Sequence, residues 1–319
     1  MTAKPQAPAK KARSAAAPRG GWQDRSSNAA LSTAIVLLRL LPVRPRLALT
    51  SWLVRRLLAP ALGYHARVEA NLDHVWPETP PARKTAIAEA AIDNLARALV
   101  ENYDPAEMLK RGAAYPVTGP GLAAFEAARA EGRPVILLTG HYGSPICARS
   151  ALVARGHRVA GLLRPMANPY ANARYIQNYR DVCEPVFEQG PAGLKALLKH
   201  VRSGGILAMA FDVFESTGPA LDFLGQPAPT SLAPAEIAVK TGALLLPYFG
   251  IRRADRYGFD TVIEEPIPHG DPRDMMQEAT RRLEARIKAD PGQWLWTHRR
   301  WKPRRQEKRR RKAEAQASR

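Results

Sequence analysis

The sequence predicts an α/β fold: a mostly parallel central sheet flanked by helices, with amino-terminal membrane-facing helices. Three observations carry this expectation. From Tyr115 onward, apolar runs of strand length alternate with segments at helical spacing, the pattern of a sheet built by crossovers. Residues 29–62 are rich in apolar residues interrupted by Arg39, Arg44, Arg46, Arg55 and Arg56 and carry Trp52, which suits helices lying in a headgroup layer. A chain of 319 residues with 45% hydrophobic content is long and apolar enough to bury a large core.

Charge narrows the class of partner. Lys and Arg number 48 against 29 Asp and Glu, a formal net charge of +19. Such an excess points to a polyanion, either an anionic membrane surface or nucleic acid. No nucleic-acid-binding signature occurs in the central part of the chain, so no specific nucleic acid is expected. Cys147 and Cys183 form neither a disulfide framework nor a metal-ligand spacing. No apolar run reaches the roughly 18 residues of a conventional membrane span.

Taken in order, residues 1–28 read as a disordered basic arm of Ala, Pro, Lys and Arg. Residues 29–112 read as a helical, membrane-associating region. Its first apolar run stops at Pro42 and contains Arg39, too short to cross a bilayer. Such a stretch lies in the headgroup layer or folds as a helical hairpin on the protein's own core. From Ala82 to Leu109, Ile87, Ala91, Leu95 and Leu99 recur at helical spacing, and Glu101 and Asp104 near the end read as solvated or capping residues. Residues 113–303 form the expected α/β domain. Its strands fall at 134–139, 159–163, 185–187, 206–211, 244–252 and 259–264, and its helices at 121–131, 145–155, 172–182, 193–201, 231–241 and 275–289. Residues 304–319 are a second basic run, read as a tail.

The chemistry concentrates at strand ends. Val135-Ile136-Leu137-Leu138 reads as a buried strand that delivers His141 into a Gly-rich turn, with Pro145 opening the next helix. In that turn His141 either serves as a reactive group or simply hydrogen-bonds the loop. Arg164 follows the second strand and Asp212 the strand over 206–211. In an open α/β sheet these ends share one edge, where ligands bind. His suits general-base work and Arg suits anion recognition. No Gly-x-Ser-x-Gly elbow, Walker loop, dinucleotide fingerprint or zinc cluster competes, and no cofactor or metal is expected.

Five strings then occur in a telling order: LLTGHYG; RPMANPYANARYI; GGILAMAFD with TGPALDFLG; TGALLLPYFGIRR; and QWLWTHRRWK, which spans Gln293 to Lys302. Over about residues 30 to 305 the chain resembles the bacterial lipid A (lipopolysaccharide) late acyltransferases, within the lysophospholipid acyltransferase superfamily. The last string is the most specific, and it also suits a structural carboxy-terminal clamp.

The resemblance implies a peripheral enzyme on the cytoplasmic face of a Gram-negative inner membrane. It implies transfer of a fatty acyl chain from acyl carrier protein or another acyl thioester to a hydroxyl of a lipid or glycolipid acceptor. The family motif is His-x4-Asp/Glu, in which the His takes the hydroxyl proton and the acid orients it. His141 matches the His, but the acid position is Ile146, which can neither carry charge nor accept a hydrogen bond. A substitute has to come from elsewhere in space: Asp212 first, as the end of a neighbouring strand, then Glu215 and Glu236. Arg164 aligns with a basic residue of the family and either binds a substrate phosphate or oxyanion or forms an ion pair at the strand end, with Asn168 and Arg180 as weaker substrate-binding candidates on the same logic. The Leu221–Gly225 turn with Thr230 and Ser231 resembles the acceptor-side loop, though a hydroxyl there also suits a helix cap. Two readings stand: an acyltransferase with a relocated acid, or a catalytically degenerate homologue that binds lipid or scaffolds membrane enzymes because Ile146 replaces the acid.

Overall fold

The computed structural model describes residues 20–302 and 306. The chain opens with helices: α1 (Trp22–Arg39), α2 (Val43–Leu53), a π-helical turn Val54–Leu58, α3 (Ala59–Ala61), α4 (Tyr64–Val75), α5 (Pro81–Asn102) and α6 (Pro105–Ala114). Strands and helices then alternate: β1 (Val117–Thr118), α7 (Leu122–Ala130), β2 (Val135–Thr139), α8 (Pro145–Val153), β3 (Val159–Leu163), α9 (Pro169–Arg180), β4 (Val186–Glu188), α10 (Pro191–Arg202) and β5 (Ile206–Ala210). A hairpin follows, β6 (Ala220–Phe223) and β7 (Gln226–Pro229), then α11 (Ala233–Thr241), β8 (Leu244–Arg252), β9 (Phe259–Ile263), α12 (Pro272–Ala289) and a short 3-10 turn Pro291–Gln293.

Seven strands form one sheet in the order β1-β9-β8-β2-β5-β3-β4. Only β8 and β9 pair antiparallel within it among the described residues. All five residues of β2 are buried. Its side chains alternate between two cores, Val135 and Leu137 in one, Ile136 and Leu138 in the other. Both faces are covered by helices, which is why the strand reads as a continuous apolar run instead of an alternating one. Helix α8 leaves β2 onto the face that carries Phe125 and Val135. Helix α11 follows β5 on the opposite face, with Ala235 and Ala238 in the other core. The chain thus departs to opposite sides from two adjacent parallel strands, which opens a crevice at their carboxyl ends.

Three departures from the sequence-based expectations have clear causes. Helix α1 begins at Trp22, inside the arm expected to be disordered through residue 28; residues 1–19 of that arm lie outside the described residues. Its start is held against α9, where Asn168 Nδ2 donates to the Asp24 carbonyl at 2.9 Å and Arg25 Nε to the Tyr170 hydroxyl at 2.8 Å. The turn at Leu221–Gly225 is the tip of the β6–β7 hairpin, closed by Leu224 and Gly225 at φ 55° and 76°. Asp104, expected to be solvated or capping, is ion-paired with the buried Arg46 at 2.7 Å. The basic tail expected at 304–319 lies outside the described residues apart from Gln306. No helix among the described residues is long and apolar enough to cross a membrane.

Candidate active site

Register brings the two key residues together. Thr139 at the end of β2 pairs with Ala210 at the end of β5. His141 and Asp212 each follow two residues later, so they leave the sheet at the same level on neighbouring strands. His141 Nδ1 lies 2.7 Å from Asp212 Oδ1. The other carboxylate oxygen, Oδ2, accepts the His141 backbone N–H at 2.7 Å and the Trp294 indole N–H at 2.8 Å. A carboxylate only accepts, so Nδ1 carries the proton and Nε2 is left as the basic nitrogen.

Burial sets the electrostatics. The Asp212 side chain is 2% exposed and that of His141 40%, so the acid is enclosed and the imidazole faces solvent. Burial alone would push the Asp212 carboxyl up; the His141 charge and the three donors overcome it and hold it at about 2. Desolvation pulls the His141 imidazole down, and the adjacent Asp212 more than reverses this, so it titrates above the ordinary histidine range. The result is a histidine of strengthened basicity, oriented by a carboxylate that stays ionised.

The backbone around the pair is pinned. Gly143 has φ 58°, and a Cβ there would lie 1.9 Å from the Gly250 carbonyl oxygen, so glycine is required for both conformation and space. The Gly143 N–H donates to the Gln293 carbonyl at 2.9 Å and the Leu295 N–H to the His141 carbonyl at 3.1 Å. The carboxy-terminal string therefore does act as a clamp: Trp294, Trp296 and Trp301 are buried, and Trp294 reaches the acid itself.

Beneath this loop lies a network that sequence reading missed. Glu101, expected to be solvated or capping, is 2% exposed. It takes a bidentate pair from Arg252 at 2.8 and 2.9 Å, a hydrogen bond from the Ser144 hydroxyl at 3.0 Å, and an ion pair with Arg111 at 3.4 Å. Burial raises its pKa, and Arg252, Arg111 and Ser144 together bring it below the ordinary carboxylate range. Asn94 accepts from Arg252 Nε at 2.7 Å and donates to the carbonyls of Gly143 and Gln293 at 3.0 and 2.9 Å. Asn94 and Glu101 are two turns apart on α5 and share a face with Ile87 and Ala91. That placement of polar residues on an apolar face was the available signal.

His141 opens onto a cleft of about 560 Å³. Its lining is mixed: Leu95, Leu99, Ile146, Leu162 and Met209 are among the apolar residues, and Arg149, Arg164, Glu215 and His298 among the polar ones. His298 Nε2 accepts the Phe214 backbone N–H at 3.1 Å, and burial lowers its pKa to about 4, so it is a neutral imidazole near neutral pH. Arg164 lies in this lining, as its place after β3 predicts. Asn168, Arg180 and Thr230 do not line the cleft. Asn168 caps α9, accepting from the Tyr170 and Ala171 N–H groups at 3.0 and 3.1 Å. Arg180 is exposed in the last turn of α9. Thr230 is buried, donates to the Ala228 carbonyl at 2.8 Å and accepts from Arg300 at 2.5 Å, while the Ser231 hydroxyl accepts the Ala233 N–H at 3.2 Å just ahead of α11. Glu236 is exposed on α11, so of the three candidate acids only Asp212 reaches His141. Ile146 packs against Met108, Cys147 and Val182. Among the described residues no group of three or more His, Cys, Asp or Glu side chains is placed to hold a metal ion.

A histidine backed by a buried carboxylate stands at the carboxyl edge of a parallel sheet and opens onto a cleft of mixed polar and apolar lining, an arrangement compatible with proton transfer. Comparison with known proteins gives this arrangement its family. Residues 28–303 match bacterial lipid A biosynthesis acyltransferase, and the chain belongs to that family. It is also similar to the phosphatidylinositol mannoside acyltransferases of Mycobacterium tuberculosis strains CDC 1551 / Oshkosh and ATCC 25618 / H37Rv. It is 28% identical to each over 189 residues, 57% of this chain. The chain spans 58% of the length of these relatives.

Proposed function

We propose that this protein is an O-acyltransferase that moves a fatty acyl chain from a thioester, carried by acyl carrier protein or a similar donor, to a hydroxyl of a lipid or lipid A-like glycolipid. The observation that carries this reading is the 2.7 Å contact between His141 Nδ1 and Asp212 at the cleft. His141 Nε2 takes the proton of the acceptor hydroxyl as its oxygen attacks the thioester carbonyl. The C–O bond forms, the C–S bond breaks, and the imidazolium returns the proton to the leaving thiolate. Asp212 holds the ring and stabilises its charged form while remaining ionised. Arg164 is suited to the developing oxyanion or to an anionic substrate group. The apolar part of the lining is suited to the acyl chain, at about 0.8 kcal/mol per buried methylene.

The amino-terminal helices support peripheral binding to an anionic membrane, with the cytoplasmic face of an inner membrane as the setting. Leu37, Leu40, Leu57 and Leu58 are 58%, 76%, 58% and 52% exposed, beside Arg39, Arg55 and Arg56. Apolar side chains left in water next to arginines suit a headgroup layer.

The test is acyl transfer by the purified protein and its His141→Ala variant, given labelled acyl carrier protein thioesters and a bacterial lipid extract, with products read by mass spectrometry. Transfer by the wild type that the variant loses supports the reading, and the product mass names the acceptor. Lipid binding by both proteins without transfer by either supports instead the degenerate homologue to which Ile146 points.

A further inference from the structure

Five arginines are buried among the described residues: Arg46, Arg111, Arg149, Arg252 and Arg300. Four have clear oxygen partners. Arg46 pairs with Asp104, Arg111 and Arg252 with Glu101, and Arg300 donates to the Pro229 carbonyl and the Thr230 hydroxyl. Arg149 differs. It is 5% exposed, and among the described residues no carboxylate forms an ion pair with it. Its guanidinium lies over the Tyr179 ring, 4.5 Å from the centroid. Its Nε is buried without a hydrogen-bond partner, and the polar groups facing the rest of the guanidinium are the Tyr179 and Tyr248 hydroxyls and the Cys183 thiol. The neighbouring acids do not supply a charge: burial pushes the Tyr248 phenol up to about 12 and raises the Cys183 thiol above its ordinary value, so both are protonated at neutral pH.

A buried guanidinium stays charged, and enclosing it without a counter-ion is costly unless a ligand provides one. Arg149 lines the same cleft as His141 and Arg164, one turn along α8 from Ile146. Ile146, one turn back on α8, is apolar and offers Arg149 no charge.

We propose that Arg149 is an anion-binding residue of the cleft and holds a phosphate group of a substrate, its planar fork matched to phosphate oxygens and the Tyr179 ring fixing its plane. This rests on the cleft being the acyl-transfer site. Phosphate has two sources there: the phosphopantetheine arm of a thioester donor, or the headgroup of a phospholipid or phosphorylated glycolipid acceptor.

The experiment is calorimetric binding to the intact protein of two probe pairs, each with and without phosphate. The donor pair is octanoyl-4′-phosphopantetheine against octanoyl-pantetheine. The acceptor pair is dihexanoyl phosphatidic acid against dihexanoylglycerol. In the wild type the phosphorylated member of one pair is expected to bind at least tenfold tighter, and that pair identifies the source. Arg149→Met is expected to reduce the advantage to under twofold, with Arg149→Lys keeping part of it. Equal affinity within both pairs for the wild-type protein overturns the proposal without recourse to any variant. So does an advantage that survives in Arg149→Met. Because binding is read without turnover, Arg149-dependent phosphate binding in a protein that transfers no acyl group keeps this inference and removes the enzymatic reading. Transfer without phosphate discrimination does the reverse.

Discussion

Asp212→Asn removes one charge and keeps the side chain's shape, which makes it the sharpest probe of the site. All three partners of Asp212 donate: the His141 ring N–H at 2.7 Å, the His141 backbone N–H at 2.7 Å and the Trp294 indole N–H at 2.8 Å. An asparagine has one oxygen to offer. If that oxygen keeps the backbone and indole donors, its NH₂ group faces Nδ1, which must then accept. The ring proton moves to Nε2, and the nitrogen required as base becomes a donor. Where a carboxylate–histidine pair has been disrupted in this way, kcat falls by roughly 10⁴-fold, about 5.5 kcal/mol of barrier. A loss of about 10³–10⁴-fold in single-turnover acyl transfer is therefore expected from protein that circular dichroism shows to be folded at the assay temperature, although its melting temperature falls because the ionised Asp212 also stabilises the fold. The acidic limb of the pH–rate profile adds an independent reading. Activity needs neutral His141, so it rises with pH through the imidazole's raised value; without the Asp212 charge that limb moves to lower pH. A variant within tenfold of wild type and with an unmoved acidic limb would refute the orienting role of Asp212.

Four further outcomes follow from the geometry. Glu101→Gln leaves Arg252 and Arg111 buried with a neutral partner, and is expected to cost about 3–5 kcal/mol in urea unfolding, a loss absent from exposed-pair controls such as Glu131→Gln. Ile146→Asp restores the family's acid position, yet Nδ1 is already held by Asp212, so no gain in rate is expected, and the Met108–Val182 cluster loses thermal stability, read by calorimetry. Acid titration followed by circular dichroism is expected to show stability lost as pH falls below about 4 towards 2, because Asp212 and Glu101 ionise more readily folded than unfolded. His141 acts in the opposite sense: its contribution is full below about 6.5 and fades as pH rises through its raised folded value. Leu40→Glu with Leu57→Glu removes two exposed apolar side chains, each worth about 1.5–3 kcal/mol when buried, and is expected to weaken sedimentation with anionic vesicles by more than 100-fold.

The sheet was legible because its strands are covered on both faces and so carry unbroken apolar runs; Leu244–Arg252 and Val159–Leu163 fall where they were read. His141 and Asp212 were legible for the same reason, since each directly follows such a run. The short β1 and the β6–β7 hairpin were not, because two to four residues carry too little periodicity to read. Glu101 looked solvated because its bidentate partner, Arg252, is 151 residues away, and no local pattern reports a contact at that distance. Asn168 and Thr230 carry groups capable of binding substrate, but the structure uses Asn168 on helix ends and Thr230 on a buried arginine. The family's string of residues marks their neighbourhood, while only the packing shows what each side chain does.

The acid that aims the base is separated from it by 71 residues, and the indole that fixes the acid by a further 82. Closing loops of that length carries an entropic penalty that is recovered only when the sheet and the carboxy-terminal clamp are both in place. Competence thus requires the whole fold and not β2 alone. A partly folded chain with a formed β2 but an undocked Trp294 segment holds an imidazole whose acid is not yet fixed, so the ring is not aimed before the cleft is shaped. Loosening that segment in the native state would silence the centre while leaving the sheet standing, and hydrogen exchange at the Leu295 amide, which donates to the His141 carbonyl, would time the loss.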